Sequence, residues 1–158
     1  MLKVGSRVPA FTVYDSEKQI ITNETILGKS TLFLFFPAAF TSTCTKELCA
    51  VRDDLARYNA LHVSVIGVST DALFSLARYK EEQGLNFRLA SDFNKEMSEA
   101  FGALYETFVY GMKGVSRRAA FIVDPQGIVQ YAEVLESAGD LPDFNAIQAR
   151  LEELSAIA

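Results

Sequence analysis

The sequence predicts an α/β fold of three layers: helices on both faces of a mixed central sheet, with an N-terminal extension and a C-terminal helix. Three observations carry this. Residues 31–36 (TLFLFF) and 62–69 (HVSVIGVS) are apolar runs of strand length, as expected for strands buried on both faces. The stretches that follow them place apolar residues three and four apart, the helical period. Near the end, 119–124 and 128–135 are joined through Asp124-Pro125-Gln126-Gly127, a short glycine-containing connection that reads as a hairpin.

Each element follows in order. Residues 4–13, with Pro9, form an N-terminal extension with short strand character. Residues 31–36 are a central strand ended by Pro37, and PAAFTST is a loop. From 43 to 58 the stripe Leu48, Val51, Leu55 and Tyr58 predicts a helix. Thr41, Ser42 and Thr43 suit its N-cap, and Glu47 falls where a capping partner sits. A strand over 62–69 leads to a helix over 71–83, ended near Gly84. A short strand over 87–91 and a short helix over 94–101, closed by Gly102, come next. After the hairpin, the last helix starts near Pro142, a favourable first helical position, with Phe144, Ile147, Leu151 and Leu154 as its stripe. Strands separated by helices imply parallel crossovers, and the hairpin adds an antiparallel edge. A thioredoxin-like arrangement has this logic, as do other three-layer α/β folds.

Composition bounds the function. The chain has 158 residues, 49% hydrophobic and 22% charged, with a formal net charge of -5. That suits one domain over residues 1–158. It provides no basic footprint for nucleic acid and no cationic face for a membrane. The start MLKVGSRVPAF has no signal-peptide core. The run LFLFFPAAF is broken by Pro37 and falls far short of the ~18–20 residues of a span. A soluble cytoplasmic protein is expected.

Two cysteines, Cys44 and Cys49, and one histidine, His62, remain. Two close thiols make a poor structural staple, because the loop they close is short. In a cytoplasmic chain such a pair is catalytic, redox-active or metal-binding. Structural zinc takes four protein ligands, and two thiols with a lone histidine fall short, so zinc is not expected. His62, at a strand start, reads as a surface or structural residue. A free cysteine is most often a small buried hydrophobe, but Cys44 follows a buried strand and falls in the first turn of a helix. Free N–H groups and the positive end of the helix dipole converge there and favour the thiolate, which is the nucleophilic form. A cation from Arg117-Arg118, just before the 119–124 strand, would add to this, and alternation alone does not choose between the two.

The segment Pro37-Ala38-Ala39-Phe40-Thr41-Ser42-Thr43-Cys44 has the form P-x-x-x-T-x-x-C and resembles the active-site motif of the peroxiredoxin family. Arg118-Ala119-Ala120-Phe121-Ile122-Val123-Asp124, with Gly127, resembles that family's R-x-x-F-x-x-D-x-x-G segment. Val4-Gly5 with Pro9 and Phe11, Gly67-Val68-Ser69-Thr70-Asp71, and Ser91-Asp92 match further landmarks in order. The resemblance implies a thioredoxin-like fold and a thiol peroxidase that needs no metal or organic cofactor. It implies that Cys44 attacks the peroxide, that Thr41 hydrogen-bonds peroxide and thiolate, and that Arg118 rather than Arg117 stabilises the charge. It further implies that Pro37 shields the sulfur and that backbone N–H groups of Thr43 and Cys44 face the site. The implied partners are a peroxide, a thioredoxin, glutaredoxin or small-thiol reductant, and a second copy of the chain in a homodimer.

The Cys44-x-x-x-x-Cys49 spacing resembles the PrxQ (bacterioferritin comigratory protein) subgroup, in which a second cysteine resolves the first as an internal disulfide. Thr45-Lys46-Glu47 resembles that subgroup's C-T-x-E, which makes Glu47 a supporting candidate beside its capping role. The runs 102–119 and 131–144 resemble instead the one-cysteine AhpE subgroup, in which an external thiol resolves the sulfenic acid. The apolar residues Phe40, Phe108, Tyr110 and Met112 are candidates to line an entrance. A thioredoxin-like disulfide oxidoreductase is the rival reading, but it calls for C-x-x-C.

Overall fold

The computed structural model describes residues 2–157. Seven strands form one mixed sheet: β1 (Thr12–Asp15), β2 (Ile20–Thr22), β3 (Ser30–Phe35), β4 (Val63–Ser69), β5 (Arg88–Ser91), β6 (Ala119–Val123) and β7 (Val129–Val134). Their spatial order is β2-β1-β5-β4-β3-β6-β7. β3, β4 and β5 run parallel, as the intervening helices require. β6 is antiparallel to both β3 and β7, which makes the expected hairpin edge.

Alternation along β3 divides the core. Leu32, Leu34 and Phe36 face a cluster with Leu48, Tyr79, Ile147 and Leu151. Those residues come from α1 (Ser42–Asp53), α3 (Leu73–Gln83) and α5 (Phe144–Ile157). Phe33 and Phe35 face the other way, onto Phe11, Phe101, Phe121 and Met97 of α4 (Glu96–Ala100). Phe101 lies 5.2 to 6.0 Å, between ring centroids, from Phe11, Phe33, Phe35 and Phe121, mostly edge-on, the arrangement aromatic quadrupoles favour. No helix among the described residues is long and apolar enough to cross a membrane.

Three elements differ from the sequence expectation. The single helix over 43–58 is two, α1 and α2 (Leu55–Ala60), broken at Asp54 (φ -108°, ψ 10°). Asp53 and Asp54 put two carboxylates at a helix C-terminus, where the dipole disfavours them, and the Asp54 N–H closes a tight turn onto the Val51 carbonyl at 3.1 Å. The last helix starts at Phe144 rather than near Pro142, because Asp143 caps it: its Oδ1 accepts the Ala146 N–H at 3.0 Å. Residues 12–22, which overlap the expected N-terminal extension only at its end, form a full hairpin, β1–β2, turned by Asp15, whose Oδ1 accepts the N–H groups of Glu17 and Gln19 at 2.9 Å each. α3 ends at Gly84 as expected, in the left-handed conformation (φ 62°) that glycine takes without steric cost.

Candidate active site

β3 ends against the loop 36–41, and α1 begins at its far side, so the loop and the helix N-terminus share one end of the sheet. The loop is pinned at several points. Phe36 N–H donates to the Val68 carbonyl, and Ala39 N–H donates to the Asp71 carboxylate at 2.9 Å. That carboxylate oxygen also accepts the Ser69 hydroxyl at 2.7 Å. Phe40 sits at φ 67°, a sterically costly conformation for a bulky residue. Thr41 is the residue before the helix, with extended backbone, but its hydroxyl does not cap α1. It donates to the Ala38 carbonyl at 2.8 Å.

Cys44 lies in the first turn of α1 and is 1% exposed. The antiparallel register pairs Ala119 with Phe35, so the residue before β6 arrives where the loop leaves β3. That residue is Arg118, also 1% exposed. Its Nη2 donates to Cys44 Sγ at 3.1 Å and to the Ala138 carbonyl at 3.0 Å, and its Nη1 donates to Glu47 Oε1 at 3.0 Å. Nε donates to the same carbonyl at 3.3 Å, so the guanidinium is held on both edges. Burial works against the Arg118 charge, but the Glu47 carboxyl and the Cys44 sulfur more than offset it, and its proton is held more tightly than usual. Arg117 instead lays its guanidinium 4.7 Å over the Tyr105 ring.

Glu47 is fully buried. Burial pushes its carboxyl up from 4.5 to about 7, against the pull of Arg118. It caps nothing in α1, contrary to the capping expectation, because it sits one turn after Cys44 on the core-facing stripe. A cavity of about 200 Å³ opens over the sulfur. Pro37, Thr41, Ser42, Thr43, Phe108 and Arg118 are among its walls.

Against this geometry, the AhpC/TSA family model matches residues 4–132. The chain belongs to the AhpC/TSA family, the peroxiredoxins. Alkyl hydroperoxide reductase E of Mycobacterium tuberculosis is 32% identical over 159 residues, covering 99% of this chain and 100% of that protein. The crystal structure of peroxidoxin BcpB from Mycobacterium tuberculosis matches with a TM-score of 0.85 at 25% identity, over 98% of this chain and 99% of that one. Enterococcus faecalis AhpC matches with a TM-score of 0.85 at 26% identity, over 99% and 95%. The thioredoxin-like peroxiredoxin fold read from the sequence is the observed one.

The structure thus brings Cys44, Thr41, Thr43, Pro37 and Arg118 of this peroxiredoxin around one cavity, with Glu47 behind the arginine. Of the apolar entrance candidates only Phe108 reaches it. Phe40 packs on Tyr79 with ring centroids 5.0 Å apart, and Tyr110 is 98% exposed. Cys49 lies on α1, partly buried, with its thiol directed to Gln83 Oε1 at 3.8 Å; both thiols are free. Sequence reasoning gave no role to Asp71, although it fell within a recognised landmark, nor to the Ala138 carbonyl, which is main chain and leaves no residue-type signal.

Proposed function

We propose that this peroxiredoxin reduces hydrogen peroxide and organic hydroperoxides through a sulfenic acid on Cys44. The observation that carries the reading is the 3.1 Å contact between Arg118 Nη2 and a sulfur buried in the first turn of a helix. The guanidinium and the free N–H groups of that turn stabilise the thiolate. Thr41 has committed its proton to Ala38, so toward the cavity it presents an oxygen that accepts a peroxide proton. The thiolate attacks one peroxide oxygen, the S–O bond forms and the O–O bond breaks. The departing alkoxide gathers charge beside Arg118 and the N–H groups of Thr43 and Cys44. An oriented donor of this kind contributes about 3 kcal/mol to such a step.

On this reading Cys49 resolves the sulfenic acid as an internal disulfide, and a thioredoxin-type protein, a glutaredoxin or a small thiol reduces it. Residues five apart on a helix differ by about 140° around the axis and about 7.5 Å along it, so the first turns of α1 must unwind. A second reading, resolution of Cys44 by an external thiol, draws on one observation: Cys49 points at Gln83 on α3. The disulfide-oxidoreductase reading predicts insulin reduction, whereas the peroxidase consumes peroxide. The exposed side chains of Val109, Tyr110 and Met112, on the segment that carries Phe108, support a homodimer formed beside the site.

Mass spectrometry after one equivalent of hydrogen peroxide tests the reading. A gain of one oxygen on Cys44, or loss of two hydrogens across Cys44 and Cys49, supports it. A chain that stays fully reduced overturns it.

A further inference from the structure

Three ionisable groups meet at the site with little access to solvent: Cys44 at 1%, Arg118 at 1% and Glu47 at 0% exposure. One guanidinium serves two acids, with Nη1 on Glu47 and Nη2 on Cys44. The second carboxyl oxygen, Glu47 Oε2, is buried with no hydrogen-bond partner among the described residues. An ionised carboxylate with a bare oxygen is costly in such a place. Two anions on one buried cation are costlier still, since like charges sharing a site disfavour each other's ionisation.

We infer that Glu47 is a proton-holding positioning residue: it is protonated while Cys44 is a thiolate, and it ionises when the sulfur becomes a neutral sulfenic acid. This rests on the peroxidase reading and deepens it. The two acids share the one guanidinium, so Arg118 keeps a single anionic partner throughout. Burial sets the Glu47 carboxyl near neutrality, at about 7, where a proton leaves as readily as it binds. Tyr79, from α3, is a titratable group that feels Cys44 and Glu47, and also Cys49 on the same helix as the pair. Tyr79 is pushed by burial up to about 12 and shares its hydroxyl with Thr45 at 2.8 Å, so it stays neutral while the acids exchange.

The negative charge then passes from the sulfur to the carboxylate. Cys44 thiolate, hydroperoxide and Glu47 carboxylic acid give Cys44 sulfenic acid, alcohol and Glu47 carboxylate. The sulfur loses two electrons and the peroxide gains them. The proton released by Glu47 matches the one taken up by the departing alkoxide.

Infrared difference spectroscopy tests this on the whole chain. The reduced protein, unlabelled or with carbon-13 glutamate, is mixed at neutral pH with one equivalent of hydrogen peroxide. The expected result is loss of a protonated-carboxyl band that shifts with the label, together with oxidation of Cys44 by mass. The band should be missing in Glu47→Gln. It should also be missing in reduced Cys44→Ser, where a neutral hydroxyl leaves Arg118 to the carboxylate alone; a purely structural Glu47 would not respond to that change. Oxidation of Cys44 with no change in any carboxyl band overturns the inference and leaves the peroxidase reading standing. Absence of any oxidation removes both. The labelled wild-type chain decides the matter even if Glu47→Gln does not fold.

Discussion

A glutamate normally supports a folded chain at high pH; Glu47 is expected to do the reverse. The perturbation is Glu47→Gln, which keeps an oxygen for Arg118 Nη1 at the 3.0 Å position and removes the proton equilibrium. Burial, opposed by Arg118, raises the carboxyl from 4.5 in the exposed chain to about 7 in the fold. Between those limits the folded chain binds more protons than the unfolded one, so unfolding becomes easier as pH rises. The stability Glu47 contributes is fully present below about pH 4.5 and is lost as pH rises through about 7. That interval of about 2.5 in pH, at 1.36 kcal/mol for each, amounts to roughly 3 kcal/mol. The assay is urea unfolding of reduced wild type and Glu47→Gln across pH 4.5 to 8. Groups that do not touch Glu47 or Arg118 cancel in the difference. Wild type should lose about 3 kcal/mol relative to the variant from the acid end to the alkaline end. A difference that is flat, or that favours wild type as pH rises, would refute the reasoning.

Other perturbations follow from the same geometry. Arg118→Lys replaces a fork held on both edges by a point charge that cannot reach Cys44, Glu47 and Ala138 together, so kcat/KM for hydrogen peroxide should fall about 100-fold or more; a change under threefold would count against the assigned role. Asp71→Ala frees the Ala39 N–H and the loop before Thr41, and should lower kcat/KM about tenfold by misplacing the loop, whereas Asp71→Asn retains an acceptor and should recover most of it. Cys49→Ser should abolish internal disulfide formation under peroxide, and hydrogen exchange of the oxidised wild type should show 43–50 unprotected; protection retained there alongside a Cys44–Cys49 bond would contradict the unwinding step. Leu48→Ala removes a fully buried side chain from the segment that must open, costing 2–5 kcal/mol of stability by the usual range. Stopped-flow kinetics should nonetheless show faster disulfide formation after oxidation.

How much of this was legible depended on whether a feature is local. Strands β3, β4 and β6 stand out because a strand covered on both faces has to be continuously apolar. The β1–β2 hairpin does not, since β2 is three residues long and Tyr14 and Ile20 face solvent. Cys44, Thr41 and Pro37 lie within eight residues, and strand-loop-helix logic alone places them together. Arg118 is a different case. Its selection over Arg117 depends on the register of β6 against β3, and a shift of one residue would exchange the two sides. Glu47 suits a cap by position and the site by resemblance, and the spacing favours the site: Cys44, Glu47, Leu48 and Val51 are spaced three, one and three, which puts the carboxyl on the buried stripe of its own helix.

The position of Cys49 on the same helix sets two demands that conflict at any one moment. Attack needs the first turn of α1 intact, because that turn supplies the N–H groups and the dipole that hold the thiolate. Resolution by Cys49 needs the same turn undone, against Leu48 burial worth about 2 kcal/mol and against the Thr45–Tyr79 and Cys49–Gln83 contacts that fasten α1 to α3. Oxidation changes the balance. A neutral sulfenic acid gives up its charge-assisted hydrogen bond to Arg118, worth about 1.5–3 kcal/mol, and its attraction to the helix dipole, worth about 0.3–1 kcal/mol. These losses are about as large as the Leu48 term they act against. On this reading the first turn of α1, around Cys44, loosens only after the peroxide has been cleaved, while the Glu47–Arg118 pair, charged after oxidation, still holds the following turn and must part before Cys49 can reach Cys44.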